Sequence, residues 1–176
     1  MADPILVPIP YEQFVADVQA IAAALEASDW LPDHIVGIGR GGLVPGAYLS
    51  HRTGISLLSV DYSAGVKGFS DDLLAKLAGE TQAGTRILLI DDINDSGKTI
   101  IALRSAILGH GGAADFLRVA VLIDNLRSPA EVDYRARTID RDADKSWFVF
   151  PWEAMAPTAT LVEEAHEVPE RLGLDR

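Results

Sequence analysis

Short, continuously apolar runs alternate along the chain with stretches in which apolar residues recur every three or four positions. The first periodic stretch, residues 11–27, puts Tyr11, Phe14, Val15, Val18, Ile21, Ala22 and Leu25 on one helical face, and Pro10 suits its first turn. Ile35-Val36-Gly37-Ile38 predicts a short buried strand, Gly39-Arg40-Gly41-Gly42 a tight loop, and residues 43–51 the helix behind it. Residues 56–61 predict a second strand. Residues 62–84 are polar and contain glycine, with a helix over 71–77. Arg86-Ile87-Leu88-Leu89-Ile90 is the clearest strand and ends in Asp91-Asp92. Ile100, Leu103 and Ile107 mark a helix that closes at Gly109, Gly111 and Gly112. A further apolar strand is predicted over 119–123, weaker ones over 134–139 and 147–150, and a short acidic helix over 158–172.

Apolar strands alternating with helices predict an α/β fold with a mainly parallel sheet flanked by helices. No internal repeat or low-complexity linker divides the chain. Residues 1–176 therefore read as a single domain, with a core over about 35–153 and an acidic tail over 154–176. Ligands of such sheets bind beyond the carboxyl ends of the strands, where the loops after Ile38 and Ile90 lie. Composition narrows the chemistry. The 176 residues include no cysteine, which removes thiol nucleophiles, cysteine zinc sites and a disulfide scaffold. A net charge of -11, from 26 acids against 15 bases, argues against nucleic acid as a partner. No apolar run approaches the ~20 residues of a membrane span, so no membrane association is expected. The start, Met1-Ala2-Asp3-Pro4, lacks the basic and apolar regions of a signal peptide, and a cytoplasmic location is the expectation. His34, His51, His110 and His166 are scattered without metal-ligand spacing.

Candidate chemistry lies in three segments. The first is Asp91-Asp92-Ile93-Asn94-Asp95-Ser96-Gly97-Lys98-Thr99. Backbone N–H groups and small hydroxyl side chains at a helix N-terminus bind phosphate. Acids just upstream can hold ribose hydroxyls or magnesium, and a third acid can handle a proton. A solvated acidic turn before an N-cap is the plainer reading of the same spacing. A P-loop is excluded, because it needs glycine where Asp92 stands. The second segment is Gly37-Ile38-Gly39-Arg40-Gly41-Gly42-Leu43-Val44-Pro45-Gly46. Exposed N–H groups beside one arginine suit pyrophosphate; a tight strand-to-helix turn where only glycine fits is the alternative. The third is Trp147-Phe148-Val149-Phe150-Pro151-Trp152-Glu153, either a core strand ending at proline or an aromatic face for a flat base with a spare carboxylate beside it.

In their order and spacing these segments resemble the type I phosphoribosyltransferases, and most of all the bacterial xanthine-guanine and hypoxanthine-guanine enzymes. Residues 88–99 are similar to the family's phosphoribosyl pyrophosphate signature, residues 40–46 to the pyrophosphate loop, and residues 147–153 to the Trp-X-X-X-Pro-Trp-acid ending. The resemblance implies transfer of a 5-phosphoribosyl group from phosphoribosyl pyrophosphate to a free purine, with a 6-oxopurine preferred. Nucleoside 5-monophosphate and pyrophosphate would be the products. It implies Asp91 and Asp92 at the ribose hydroxyls, with magnesium held near Asp91, Asp92 and Glu153. It places Asp95 at the purine N7 as a proton-handling group, Ser96, Gly97, Lys98 and Thr99 at the 5-phosphate, and Arg40 and Gly41 at pyrophosphate. A cis peptide is often found before that arginine. Trp147 would stack on the base and Phe148 would read its edge through the backbone. A flexible hood within residues 62–84 and assembly into homo-oligomers, dimers or tetramers, are implied as well.

The chain departs from those enzymes at one point. They place a lysine after the strand corresponding to 119–123, as a donor to the purine O6, whereas Asp124-Asn125 stands here. A carboxylate cannot donate and an amide carries no charge. The Ser-Tyr pair of the hood is missing too, with Tyr62-Ser63 nearby in reverse order. Asp124 and Asn125 thus become base-facing candidates. Transfer to another base such as a 6-aminopurine, and a non-catalytic phosphoribosyl pyrophosphate sensor, stand as the alternatives.

Overall fold

The structure is a computed structural model that describes residues 4–61 and 69–166. Along these residues run β1 (Leu6–Pro8), α1 (Tyr11–Glu26), β2 (His34–Ile38), α2 (Gly39–Thr53), β3 (Ser56–Val60), α3 (Phe69–Gln82) and β4 (Ile87–Asn94). They are followed by α4 (Lys98–Gly109), β5 (Leu117–Asn125), β6 (Tyr134–Ile139), β7 (Trp147–Val149) and α5 (Thr158–His166).

Successive strand residues point to opposite faces, so a strand with no polar position needs cover on both sides. Ile35, Val36, Leu88, Leu89, Val119 and Ala120 are all fully buried. Their neighbours separate into two cores. Ile35, Leu88, Ile90 and Ala120 pack with Phe14 and Ile21 of α1 and Leu49 of α2. Val36, Leu89, Val119 and Val121 pack with Leu74 and Leu77 of α3 and with Leu103 and Ile107 of α4. The sheet between these layers is parallel throughout, in the order β3-β2-β4-β5-β6. This is the single α/β architecture that the apolar pattern predicts.

The differences from the predicted elements matter for the site. The glycine run at 39–42 is not a loop: α2 begins at Gly39, whose φ of 54° turns the chain straight from strand into helix. That helix lies against β4 at a distance only glycine permits, since a Cβ on Gly42 would stand 2.0 Å from the Ile90 carbonyl oxygen. All peptide bonds among the described residues are trans, including the one before Arg40, contrary to the expected cis bond. β4 continues past its apolar run, because Asp91, Ile93 and Asn94 keep pairing with Val121, Ile123 and Asp124 of β5. Two of the three acids therefore sit on a strand rather than in a turn. β1, too short to show a pattern, pairs in parallel with β7 and fixes the Trp147 segment, with Leu6 opposite Trp147 and Val7 opposite Phe148.

Of the stretch in which a hood was expected, residues 62–68 lie outside the described residues. Helix α3 is longer than the predicted 71–77, and its Leu74, Leu77 and Ala78 are buried. Within the tail, α5 covers the first part of the predicted acidic helix; the remainder also lies outside the described residues.

The close contact generates a paired prediction. Overpacking costs ~1–3 kcal/mol and occasionally more, and Gly42→Ala should fall at or beyond the top of that range. Gly79, exposed within α3 with nothing within 4 Å of an added Cβ, should gain about 0.5–1 kcal/mol on Gly79→Ala. Urea unfolding of both variants checks the opposite signs.

Candidate active site

The carboxyl ends of β2, β4 and β5 and the start of β7 meet at one edge of the sheet. The β4–α4 turn supplies a phosphate-sized recess of about 140 Å³, lined by Asp91, Ile93, Asn94, Asp95, Ser96, Gly97, Lys98, Thr99 and Ile100. Gly97 precedes the first residue of α4 with φ of 79°, and a Cβ there would strike the Ser128 Oγ at 2.6 Å. The N-cap residue Gly97 has no side chain to cap α4, and the Lys98 N–H makes only a long bond of 3.4 Å to the Ser96 Oγ, so the N–H groups of this first turn can turn to an anion.

A second cavity, of about 160 Å³, opens beside it. Asp92, Ile93, Asp95, Arg141, Trp147, Phe148, Phe150 and Glu153 line it. The two spaces share Ile93 and Asp95, while Asp91 belongs to the first and Asp92 to the second. Trp147 and Phe148 thus lie where an aromatic face was expected. Trp152 turns away: it stacks on Phe150 at 4.9 Å and meets Phe14 of α1 edge-on at 5.2 Å, which makes it part of the core.

The acids are poorly compensated. Gly41 sits so close to them that a Cβ there would be 2.6 Å from Asp92 Oδ2 and 3.0 Å from Asp91 Oδ1. Burial holds the Asp91 carboxyl well above its ordinary range, and the neighbouring Asp92 charge adds to this. Burial, followed by repulsion from Glu153, pushes Asp92 up to about 7. Glu153 is raised by burial too, although its Oε2 accepts the Phe150 N–H at 2.8 Å. Clustered, desolvated carboxylates of this kind fit a hard divalent cation. No group of three or more His, Asp or Glu among the described residues could hold a metal by protein ligands alone. Magnesium commonly binds one or two carboxylates and completes its shell with water and substrate oxygens. That mode is the one Asp91, Asp92 and Glu153 can serve.

Arg40 is the second residue of α2, with its side chain 91% exposed. It meets Glu164 of α5 at 3.7 Å, an exposed pair of little energetic weight. Its charge is felt at Glu153, which places it on the same side of the site.

Asp124 and Asn125 do not line the cavity with Trp147. Asp124 accepts the Asn94 Nδ2 donor at 2.8 Å and pairs with Arg135 at 3.1 Å. Asn125 donates from Nδ2 to the Asp95 carbonyl oxygen at 2.9 Å, and its Oδ1 accepts from the backbone of Arg127 and Arg141. Both residues border a different space of about 430 Å³, shared with Arg104 and Arg135. Both side chains are engaged within the chain, and that of Asn125 ties the turn at Asp95 to β5.

The residue that sequence reasoning missed is Arg141. It is only 3% exposed, and its guanidinium grips both oxygens of Asp95, from Nε at 2.9 Å and from Nη2 at 2.7 Å. Nη1 donates to the carbonyl oxygens of Ser146, at 2.6 Å, and Asp144. The only signal in the sequence is an arginine six positions before Trp147, inside a charged run that reads as solvated.

With this geometry in place, comparison with known proteins identifies the class. The profile of the phosphoribosyl transferase domain matches residues 10–156. A purine phosphoribosyltransferase from Pyrococcus horikoshii is similar in structure, with a TM-score of 0.62 at 24% identity over 86% of this chain and 96% of that one. The xanthine-guanine-hypoxanthine phosphoribosyltransferase of Helicobacter pylori has a TM-score of 0.62 at 20% identity, covering 84% and 93%. A hypothetical protein from Neisseria gonorrhoeae, solved with bound ppGpp, has a TM-score of 0.67 at 19% identity, covering 97% and 98%. At these identities the structural likeness is one of fold. The chain belongs to the phosphoribosyl transferase domain family, within the glycosyltransferase class of enzymes.

The raised Asp92 carboxyl sets a pH dependence. An unfolded chain loses this proton near 3.8, whereas the folded protein holds it to about 7. Stability therefore falls as pH rises through that window and levels off above it. Without divalent ions, Asp92→Asn should melt higher than the parent at pH 8 and alongside it at pH 4. A shift of a few degrees is expected, since about 1 kcal/mol moves the midpoint of a domain this size by roughly 2–4 °C.

Proposed function

We propose that the protein transfers the 5-phosphoribosyl group of phosphoribosyl pyrophosphate to a free purine, with a 6-oxopurine preferred. The observation that carries this reading is the pair of contiguous cavities. One is an anion recess at a helix N-terminus and the other an aromatic slot, and Asp95 borders both while Asp91 and Asp92 each border one. A phosphorylated ribose reaching from the first into the second brings its C1 beside Asp95.

The chemistry then follows from the residues. The N–H groups of Gly97, Lys98 and Thr99, with the Ser96 and Thr99 hydroxyls, hold the 5-phosphate. Asp91 and Asp92 accept hydrogen bonds from the ribose hydroxyls. Arg40 and the backbone N–H groups at the start of α2 take the pyrophosphate. Magnesium, held by one or two of the carboxylates of Asp91, Asp92 and Glu153 together with substrate oxygens, would supply positive charge to the leaving group. The bond from C1 to the pyrophosphate oxygen breaks with oxocarbenium-like charge, and a new bond forms from the base nitrogen to C1. The base gives up its N7 proton to the Asp95 carboxylate as it does so. Trp147 and Phe148 hold the ring, and their apolar surface limits access of water to the cation.

The doubt that Asp124-Asn125 casts on a 6-oxopurine lessens, because neither side chain borders the aromatic slot. A 6-aminopurine acceptor and a sensor that binds without turnover become outcomes of the test. Phosphoribosyl pyrophosphate and magnesium are offered with guanine, xanthine, hypoxanthine and adenine in turn, and pyrophosphate release is measured. Release with the oxopurines supports the reading; release with adenine alone, or with none, overturns it.

Two variants test the assigned roles. Asp95→Asn should lower turnover by about 10²–10⁴-fold, the usual range for a positioned proton-handling group. Arg40→Ala should weaken binding of pyrophosphate and of phosphoribosyl pyrophosphate in calorimetry and leave nucleoside monophosphate binding nearly unchanged. Equal losses for all three ligands would make Arg40 structural.

A further inference from the structure

We propose that Arg141 is the residue that selects a 6-oxopurine over a 6-aminopurine. This inference rests on reading the aromatic cavity as the base site and adds to that reading the residue that discriminates. A guanidinium carries five N–H donors and no acceptor. Four contacts are made within the chain: Nε and Nη2 to Asp95, and Nη1 to the Ser146 and Asp144 carbonyl oxygens. Nη2 keeps a second hydrogen for which the described residues supply no acceptor. Leaving a buried donor without a partner is costly, so the donor favours a ligand atom that can accept.

The surroundings define what that atom belongs to. Arg141 borders the cavity together with Asp95, Trp147 and Phe148, and its guanidinium lies 5.2 Å from the centre of the Phe148 ring. The cavity thus offers a charged donor and a carboxylate acceptor side by side, beside aromatic surface. The complementary edge is that of a flat ring with an N–H next to a carbonyl. A 6-oxopurine with its proton on N7 has that edge. A 6-aminopurine would turn its amino hydrogens toward a guanidinium that cannot accept them. A charged donor of this kind cannot be read from Asp124 or Asn125, which are occupied elsewhere.

The test compares inosine and adenosine 5-monophosphates by calorimetry, since both carry the same ribose phosphate, both lack the N7 proton of the free base and so meet Asp95 alike there, and they differ at the 6-substituent assigned to Arg141. The parent protein should bind the inosine nucleotide about tenfold or more tightly, the span of one charge-assisted hydrogen bond. Arg141→Gln should bring the two affinities close together, and Arg141→Lys, which keeps a cation without the fork, should keep the inosine nucleotide ahead. Loss of both affinities with their ratio unchanged would make Arg141 structural and overturn the proposal. Equal binding, or preference for the adenosine nucleotide, in the parent protein overturns it as well, without reference to any variant. If neither nucleotide nor phosphoribosyl pyrophosphate binds, the phosphoribosyl reading fails and this inference with it. If phosphoribosyl pyrophosphate binds and the nucleotides are not distinguished, only the role of Arg141 fails.

Discussion

Everything at the site depends on how closely α2 can approach β4. Gly42 leaves no room for a Cβ against the Ile90 carbonyl oxygen, and Gly41 leaves almost none against Asp91 and Asp92. A side chain at Gly41 would press on the two carboxylates, and one at Gly42, which meets backbone, would push the helix outward. Its N-terminus would then leave the two carboxylates, and Arg40 would move off with it. The glycines are therefore packing requirements first. On the proposed reading they serve the ligand as well, because the same contact sets the start of α2 next to the strand end that carries the acids.

That contact brings the acids at the end of β4 against the start of α2. Asp91, Asp92 and Glu153 are raised chiefly by burial, with repulsion added at Asp91 by Asp92, at Asp92 by Glu153 and at Glu153 by Glu164. Asp95, three residues along, is instead held by a buried guanidinium. The difference divides the work. On the proposed reading the first group meets positive charge that arrives with a ligand, whereas Asp95 has Arg141 as its cation and is held between the two cavities. Asn125 and Asn94 support that orientation by tying the Asp95 turn to β5 and to the Ser128 segment.

How much of this was legible in the sequence depended on whether its cause was local. The run at Ile87–Ile90 reads as a strand because every side chain in it must be buried. The sequence from Asp91 to Thr99 reads as a sugar-phosphate site because its acids, glycine and hydroxyls are adjacent in the chain. The helical start at Gly39 was not legible, because it is imposed by β4, which lies some fifty residues away in the chain. Nor was the role of Asn125, whose amide is consumed by backbone groups of the Asp95 turn and of Arg141. Arg141 is the clearest case. Its neighbour Asp140 makes an exposed pair with Arg127, as a charged run should, whereas Arg141 itself is drawn inside by a carboxylate 46 positions earlier.

The central claim is that the glycine turn, the acidic strand end and the aromatic segment form one site, occupied from the phosphate end to the base end. Hydrogen–deuterium exchange measures this directly. With phosphoribosyl pyrophosphate and magnesium, slowed exchange is predicted in residues 39–42 and 95–99. With guanosine 5-monophosphate, it is predicted in 95–99 and 141–149. In neither case should the segment 126–135, beside the separate cavity, be protected. Protection centred on 126–135, or protection that never joins 95–99 to 141–149 under the nucleotide, would contradict the account.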